Sequence, residues 1–449
     1  MVKKRIALGL SCLMVCTCCI SCGKKTAIPD FEKIEYSEYE PFRFYCYGTP
    51  PPGREAYDME TQYKYIAECG FNYAVPLWES STEERIAFME GVAPYGIKVI
   101  IADPYVGNLF ELYKKMGVAA EDQKQALSER IESAKKSLKN IYDTYCQYEN
   151  FAGFNAKDEP KYSDLEFLGQ TYDYFQTINV HNKEWWINLF PNWGQGTLGS
   201  SFEEYVDAAA KLTGSTIMCY DTYPLDKSNS INSGYWTEME QFATISRQNG
   251  KDFMGFILSE GHQTYKHVKD YDDLAYQVYS QMLFGSVGIN TFKYYSTGSI
   301  DALISADGRR TSLYYGMQQL IKEIRAFENI YMNSEWQGIM LKVNDEFYGN
   351  DIFDGVTNPM ESHERIKSFG GTSDVALGAF RDKDGRDGFL IFNANNPAHD
   401  TQNVVDIEFK NASYAYLYKK GRKVKVRLDK GKFRTTIGSC EAYYIVPMK

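Results

Sequence analysis

Eight short apolar runs alternate with stretches of helical spacing between Phe42 and about Tyr331. The runs are FRFYCYG (42–48), NYAVPLW (72–78), IKVIIAD (97–103), FAGFNAKDE (151–159), EWWINLFPN (184–192), STIMCYDTYP (215–224), DFMGFILSE (252–260) and INTFKYYS (289–296). Strand and helix in strict alternation predict a parallel sheet, because parallel neighbours need a crossover helix between them. IKVIIAD is apolar almost throughout, as a strand buried on both faces must be. Local punctuation agrees with the pattern. Gly70 stops the first helix, and Ser81-Thr82-Glu83-Glu84 offers a capping box to the second. An open doubly wound sheet usually carries a glycine-rich phosphate loop. GxxxxGK[ST] does not occur, and the one GxGxxG, at 194–199, follows the fifth run and not the first. The expected fold class is therefore α/β, a (β/α)8 TIM barrel over residues 41–335.

From Trp336 the texture changes. Short β-rich runs such as GFLIFNANN, NVVDIEFK and EAYYIVP are separated by the hairpin-type turns KDGRDG and DKGK. They predict a small antiparallel β-sandwich over 336–449 that supports the barrel. An independent sugar-binding module is the alternative.

The first residues read as a leader. Lys3, Lys4 and Arg5 precede an apolar stretch too short to span a bilayer comfortably. The stretch ends in Ile20-Ser21-Cys22-Gly23, which resembles the lipobox of bacterial lipoproteins, with Cys19 where leucine is usual. The resemblance implies a signal peptide over 1–21, acylation of Cys22, and a tether over 22–40. The mature protein is then expected at the cell envelope, at the outer membrane or in the periplasm, held to the membrane by lipid alone. A plain secretory leader is the alternative. The formal net charge is −10, and losing three basic residues makes the remainder more acidic still. Nucleic acid, which needs a basic footprint, is not an expected partner. Five of the ten cysteines lie in the leader and lipobox. The others, Cys46, Cys69, Cys146, Cys219 and Cys440, form no metal-binding spacing and read as buried thiols, with one disulfide open. No cofactor or metal motif is present in this reading.

In a (β/α)8 barrel the active site sits at the C-terminal ends of the strands. The fourth and seventh runs end in Glu159 and Glu260. Two carboxyl groups facing each other across that mouth are the minimum equipment for cleaving a glycosidic bond. Glutamates on strands 4 and 7, in GFNAKDEP and GFILSEGH, resemble the retaining (β/α)8 glycoside hydrolases of clan A, which include the family 42 beta-galactosidases. The resemblance implies a carbohydrate substrate, Glu159 as acid/base and Glu260 as nucleophile. One position departs from it. The clan usually has asparagine before its strand-4 glutamate, and here Asp158 stands there. Aspartate accepts a hydroxyl hydrogen bond but donates none, and its charge raises the pKa of Glu159. Strand alternation aims only one of Asp158 and Glu159 inward unless the strand end is irregular. Helix capping is the plain alternative for such an acid pair.

Other strand ends carry Tyr47, Trp78, Tyr105, Trp193, Tyr223, His262 and Tyr295. Any one aromatic is an ordinary packing residue. Several at one barrel end suit the apolar faces of sugar rings. The resemblance makes Tyr223 the partner of Glu260. Asp221 and Lys293 are further polar candidates. Two competing readings remain: a non-catalytic carbohydrate-binding lipoprotein, and a Mg-type hydrolase or isomerase using the acids as oxygen ligands.

Overall fold

The structure, a computed structural model, describes residues 34–77, 81–192, 199–261, 265, 268–296, 302–343 and 352–449. Each apolar run contributes one strand: β1 Arg43–Tyr47, β2 Tyr73–Val75, β3 Lys98–Ile101, β4 Phe151–Asp158, β5 Glu184–Leu189, β6 Ile217–Tyr220, β7 Asp252–Leu258 and β8 Gly288–Phe292. They pair in parallel, in sequence order, and β8 returns to β1 to close the barrel. The helices between them are α1 Met59–Cys69, α2 Thr82–Val92, α3 Pro104–Gly117, α4 Glu121–Tyr145, α5 Leu165–Ile178, α6 Phe202–Leu212, α7 Tyr235–Gln248, α8 Tyr271–Leu283 and α9 Ser312–Arg325. A short α10, Glu328–Tyr331, follows.

Local signals set the helix ends. Gly70 takes the left-handed conformation that closes α1, and Ser81 and Glu84 complete the capping box of α2. Asp103 caps α3, which starts at Pro104, and also takes the Arg85 guanidinium and the Tyr145 hydroxyl. Among the described residues no helix is long and apolar enough to cross a membrane.

The N-terminal end of the barrel is plugged by charge and rings. Arg43 pairs with Glu184 at 2.8 Å, and the Tyr73 hydroxyl donates to the same carboxylate at 3.3 Å. Tyr45 stacks at a tilt on Tyr73, with centroids 4.5 Å apart, and meets Trp186 edge-on. This end is a packed floor, and the chemistry is left to the other end.

Residues 334–449 build two antiparallel sheets. One has the order β10-β13-β16 (Ile366–Gly371, Asn403–Phe409, Lys432–Ile437). The other has the order β15-β14-β17-β12-β11-β9 (Arg422–Arg427, Tyr414–Lys419, Ala442–Met448, Asp387–Asn393, Val375–Asp382, Ser334–Lys342). Strand parity explains why β12 and β17 read as unbroken apolar runs. Phe389, Ile391, Tyr443 and Ile445 face the smaller sheet across the sandwich core. Leu390, Phe392, Tyr444 and Val446 face the barrel and join its core. Tyr444 stacks on Phe327 at 5.1 Å, and Phe392 meets Tyr276 of α8. The Arg247 guanidinium lies 3.9 Å over the Trp336 ring. Residues 34–449 accordingly form one compact unit.

The expected tether over 22–40 ends sooner than its composition suggests. Ile34 is buried, and the Tyr36 backbone exchanges two hydrogen bonds with the Asn329 side chain. An apolar side chain and a matched amide are enough to dock these residues. Cys22 lies outside the described residues. Of the five remaining cysteines, four are buried and none is paired.

Candidate active site

The last turn of β4 is irregular, and that irregularity determines what reaches the barrel mouth. Its register with β5 slips between Asn155 and Lys157, so two residues of β4 oppose one of β5. A bulge of this kind re-aims the side chains that follow it. Glu159 then takes φ +45°, a left-handed conformation that is uncommon and strained for a glutamate. Its N–H donates to the Asn188 carbonyl at 2.8 Å, which keeps the chain end on β5. The result defeats strict alternation: Asp158 and Glu159 both line one cavity.

That cavity has a volume of about 270 Å³. Asn188 from β5, Asp221 after β6 and the two acids of β4 form its polar side. Tyr47, Tyr223, Phe256, Tyr265 and Phe292 form its walls. Tyr47 stands edge-on to Phe256 at 4.7 Å, and Tyr223 edge-on to Tyr265 at 5.1 Å. The Tyr205 hydroxyl holds the turn behind Glu159 by donating to the Pro160 carbonyl at 2.6 Å.

One amide organises the acids. Asn188 Nδ2 donates to Asp158 Oδ1 at 3.0 Å and to Asp221 Oδ1 at 3.3 Å. Its Oδ1 accepts from the Cys219 thiol at 3.8 Å, and Asn290 Nδ2 donates to that sulfur at 3.5 Å. The Glu159 carboxyl in turn hydrogen-bonds the Asp221 carboxyl. That bond lowers the Glu159 pKa, while the Glu159 charge raises that of Asp221. Crowding by protein raises the pKa of Glu159, and the Asp158 charge raises it further. Asp221 is pushed well above the carboxylate range by burial, then by the charges of Glu159 and Asp158. Asp158 is also raised, by desolvation, with the Asn188 bond and Lys157 opposing.

Glu260 belongs to a second group on the same face. It follows β7, half-buried, and burial pushes its carboxyl up to about 7 while Lys293 pulls it down. Lys293 Nζ lies 5.3 Å from the centre of the Tyr295 ring, and Tyr57 meets Tyr295 edge-on. Glu260 acts electrostatically on Tyr295. Tyr223 sits among Asp221, Tyr265, Tyr47 and Asp158. Tyr105 is on the surface at the start of α3, 41 % exposed. Trp78, Trp193 and His262 lie outside the described residues. Among the described residues no group of three or more His, Cys, Asp or Glu is placed to hold a metal ion.

No protein-family model matches the chain, and no curated protein does. Solved structures do. An alpha-amylase from Anoxybacillus is similar over 91 % of this chain and 98 % of its own, with 12 % identity and a TM-score of 0.50. The barrel-plus-sandwich fold is shared with a solved glycosyl hydrolase. A beta-galactosidase from Marinomonas ef1 is similar over 64 % of this chain and 60 % of its own, at 9 % identity and a TM-score of 0.47. A glycoside hydrolase family 30 xylanase from Clostridium acetobutylicum is similar over 92 % and 97 %, at 10 % identity and 0.44. At these identities the likeness is one of fold.

Sequence reasoning missed Asn188. A signal was available: Trp186 and Asn188 share strand parity, so the amide points to the same interior as the indole. A lone asparagine in the run EWWINLF had to find buried partners.

Proposed function

We propose that the chain is a glycoside hydrolase that cleaves O-glycosidic bonds of an oligo- or polysaccharide with retention. The supporting observation is Glu159 at the end of β4. Its carboxyl faces a cavity of about 270 Å³, just under the roughly 300–1,000 Å³ of pockets for drug-sized ligands, which suits one sugar ring. Its raised pKa suits a group that must hold a proton and then donate it. Glu260 is the nucleophile in this reading, and the adjacent Lys293 favours the ionised form that attack requires. Acylation of Cys22 would tether the enzyme at the cell envelope.

Turnover by the purified protein on a panel of aryl glycosides and plant polysaccharides tests the reading. Glu260→Gln should abolish turnover on every active substrate. The wild-type rate should fall on the acid side with a limb near pH 7, where Glu260 takes up its proton. Asp158→Asn removes a charge that holds the Glu159 pKa up, so the alkaline limb of kcat/KM should move to lower pH. An unmoved limb would separate Asp158 from Glu159 function. Sugar binding without turnover on any substrate would make the protein a carbohydrate-binding barrel instead.

A further inference from the structure

The cavity is charged in one sense only. Asp158, Glu159 and Asp221 all face it, and among the described residues that line it there is no Lys, Arg or His. The nearest cation on β4, Lys157, has its ammonium 5.5 Å from the centre of the Phe110 ring of α3. Lys293 acts on Glu260. Ionised carboxylates only accept, and the amide donor Asn188 Nδ2 already serves both aspartates, which leaves the Tyr47, Tyr223 and Tyr265 hydroxyls as the other donors of the lining. Five aromatic rings enclose the rest. Aromatic faces attract cations, and carboxylates pair with them most strongly out of bulk water.

We propose that this cavity binds a cationic ring, a sugar bearing a free amino group, whose ammonium is held by Asp158 and Asp221 beside Glu159. This names the substrate class within the glycosidase reading and rests on it. An ammonium brings three donors to a cluster of acceptors and one positive charge, which the described lining lacks. It also offsets the burial, and for Glu159 and Asp221 the neighbouring negative charges, that make these carboxyl groups hold protons. Binding therefore drives protons off the cluster. The other titratable groups acting on it are Lys157, Cys219, Tyr47, Tyr205 and Tyr223. All four of these thiol and phenol groups are held neutral by burial.

Calorimetry on the full-length protein tests this with glucosamine, glucose, N-acetylglucosamine and magnesium chloride as separate probes. Each titration is run in two buffers of different ionisation enthalpy. Glucosamine should bind at least about tenfold more tightly than glucose or N-acetylglucosamine, as expected of charge-assisted bonds. It should release protons on binding, and tighten as pH rises toward the pKa of its own amine. Asp158→Asn and Asp221→Asn should each weaken glucosamine about tenfold or more and weaken glucose far less. Circular dichroism of both variants reports whether the barrel is intact. Equal affinity for glucose and glucosamine, or binding without proton release, overturns the proposal. So does magnesium binding that competes with the sugar and is lost in both variants. The two readings fail separately. Cleavage of neutral aryl glycosides with no preference for a 2-amino group removes the inference and leaves the hydrolase. Glucosamine binding with proton release but no hydrolysis of any glycoside does the reverse.

Discussion

Glu159→Gln lowers turnover of substrates with poor leaving groups by about 10²–10⁴-fold, the usual share of general acid catalysis. Activated aryl glycosides, whose leaving groups need little protonation, are hit far less in the first step. The amide keeps the shape of the side chain in this variant and has no acidic proton to give. The strained backbone at φ +45° and the bond from its N–H to the Asn188 carbonyl are retained. Azide restores turnover of Glu159→Ala on activated substrates, because it attacks the glycosyl-enzyme without a general base. Rates on aryl glycosides of graded leaving-group pKa, with and without azide, measure both effects. Equal losses across the series with no azide rescue would remove Glu159 from the acid/base role. Asp221 would then be the next candidate, since its carboxyl hydrogen-bonds that of Glu159 and burial pushes it well above the carboxylate range.

The second large effect is on the scaffold. Gly153 sits near the start of β4 with φ +152°, and its register with β3 slips just before it. A Cβ there would stand 2.0 Å from the Glu184 carbonyl oxygen and 2.6 Å from the Glu184 nitrogen. These are backbone atoms of the neighbouring strand and have no rotamer to escape into. Gly153→Ala is therefore expected to cost about 3 kcal/mol or more, at the upper end of overpacking effects. It should also separate β4 from β5, the two strands that carry Asp158, Glu159 and Asn188. A urea midpoint lowered together with activity is the expected result. A midpoint within error of wild type would show that β4 slides without cost.

The barrel was legible because its signal is repeated eight times. Each repeat carries its own punctuation, such as Gly70 after α1 and the capping boxes at Ser81 and Ser201. Strand lengths were less legible. NYAVPLW gives only Tyr73–Val75, since Pro76 cannot donate to a neighbour. The long helical stretch after the third run is two helices, broken where Val118 is 87 % exposed and finds no apolar cover. Strand β10, IKSFGG, was hidden by its glycines and forms because β13 pairs with it. The site divides in the same way. Asp158 and Glu159 announced themselves together, and their joint access to the cavity depends on a bulge that local sequence does not encode. The partnership of Asp221, Asn188 and Glu159 is wholly tertiary. Three strand ends meet there, and no spacing along the chain foretells it.

The six-stranded sheet that lends one face to each core bears on how such a chain can change over generations. A module that keeps its own hydrophobic interior can be cut out and pasted beside a new neighbour. This sheet cannot, because Phe392 and Tyr444 fill gaps between the helices of the barrel while Phe389 and Ile445 fill the sandwich. Removing it would strip a wall from the barrel and leave α8 facing water. The two halves are thus inherited as one piece. New specificities in this lineage should arise by rewriting the loops at the barrel mouth, not by trading the C-terminal half for another.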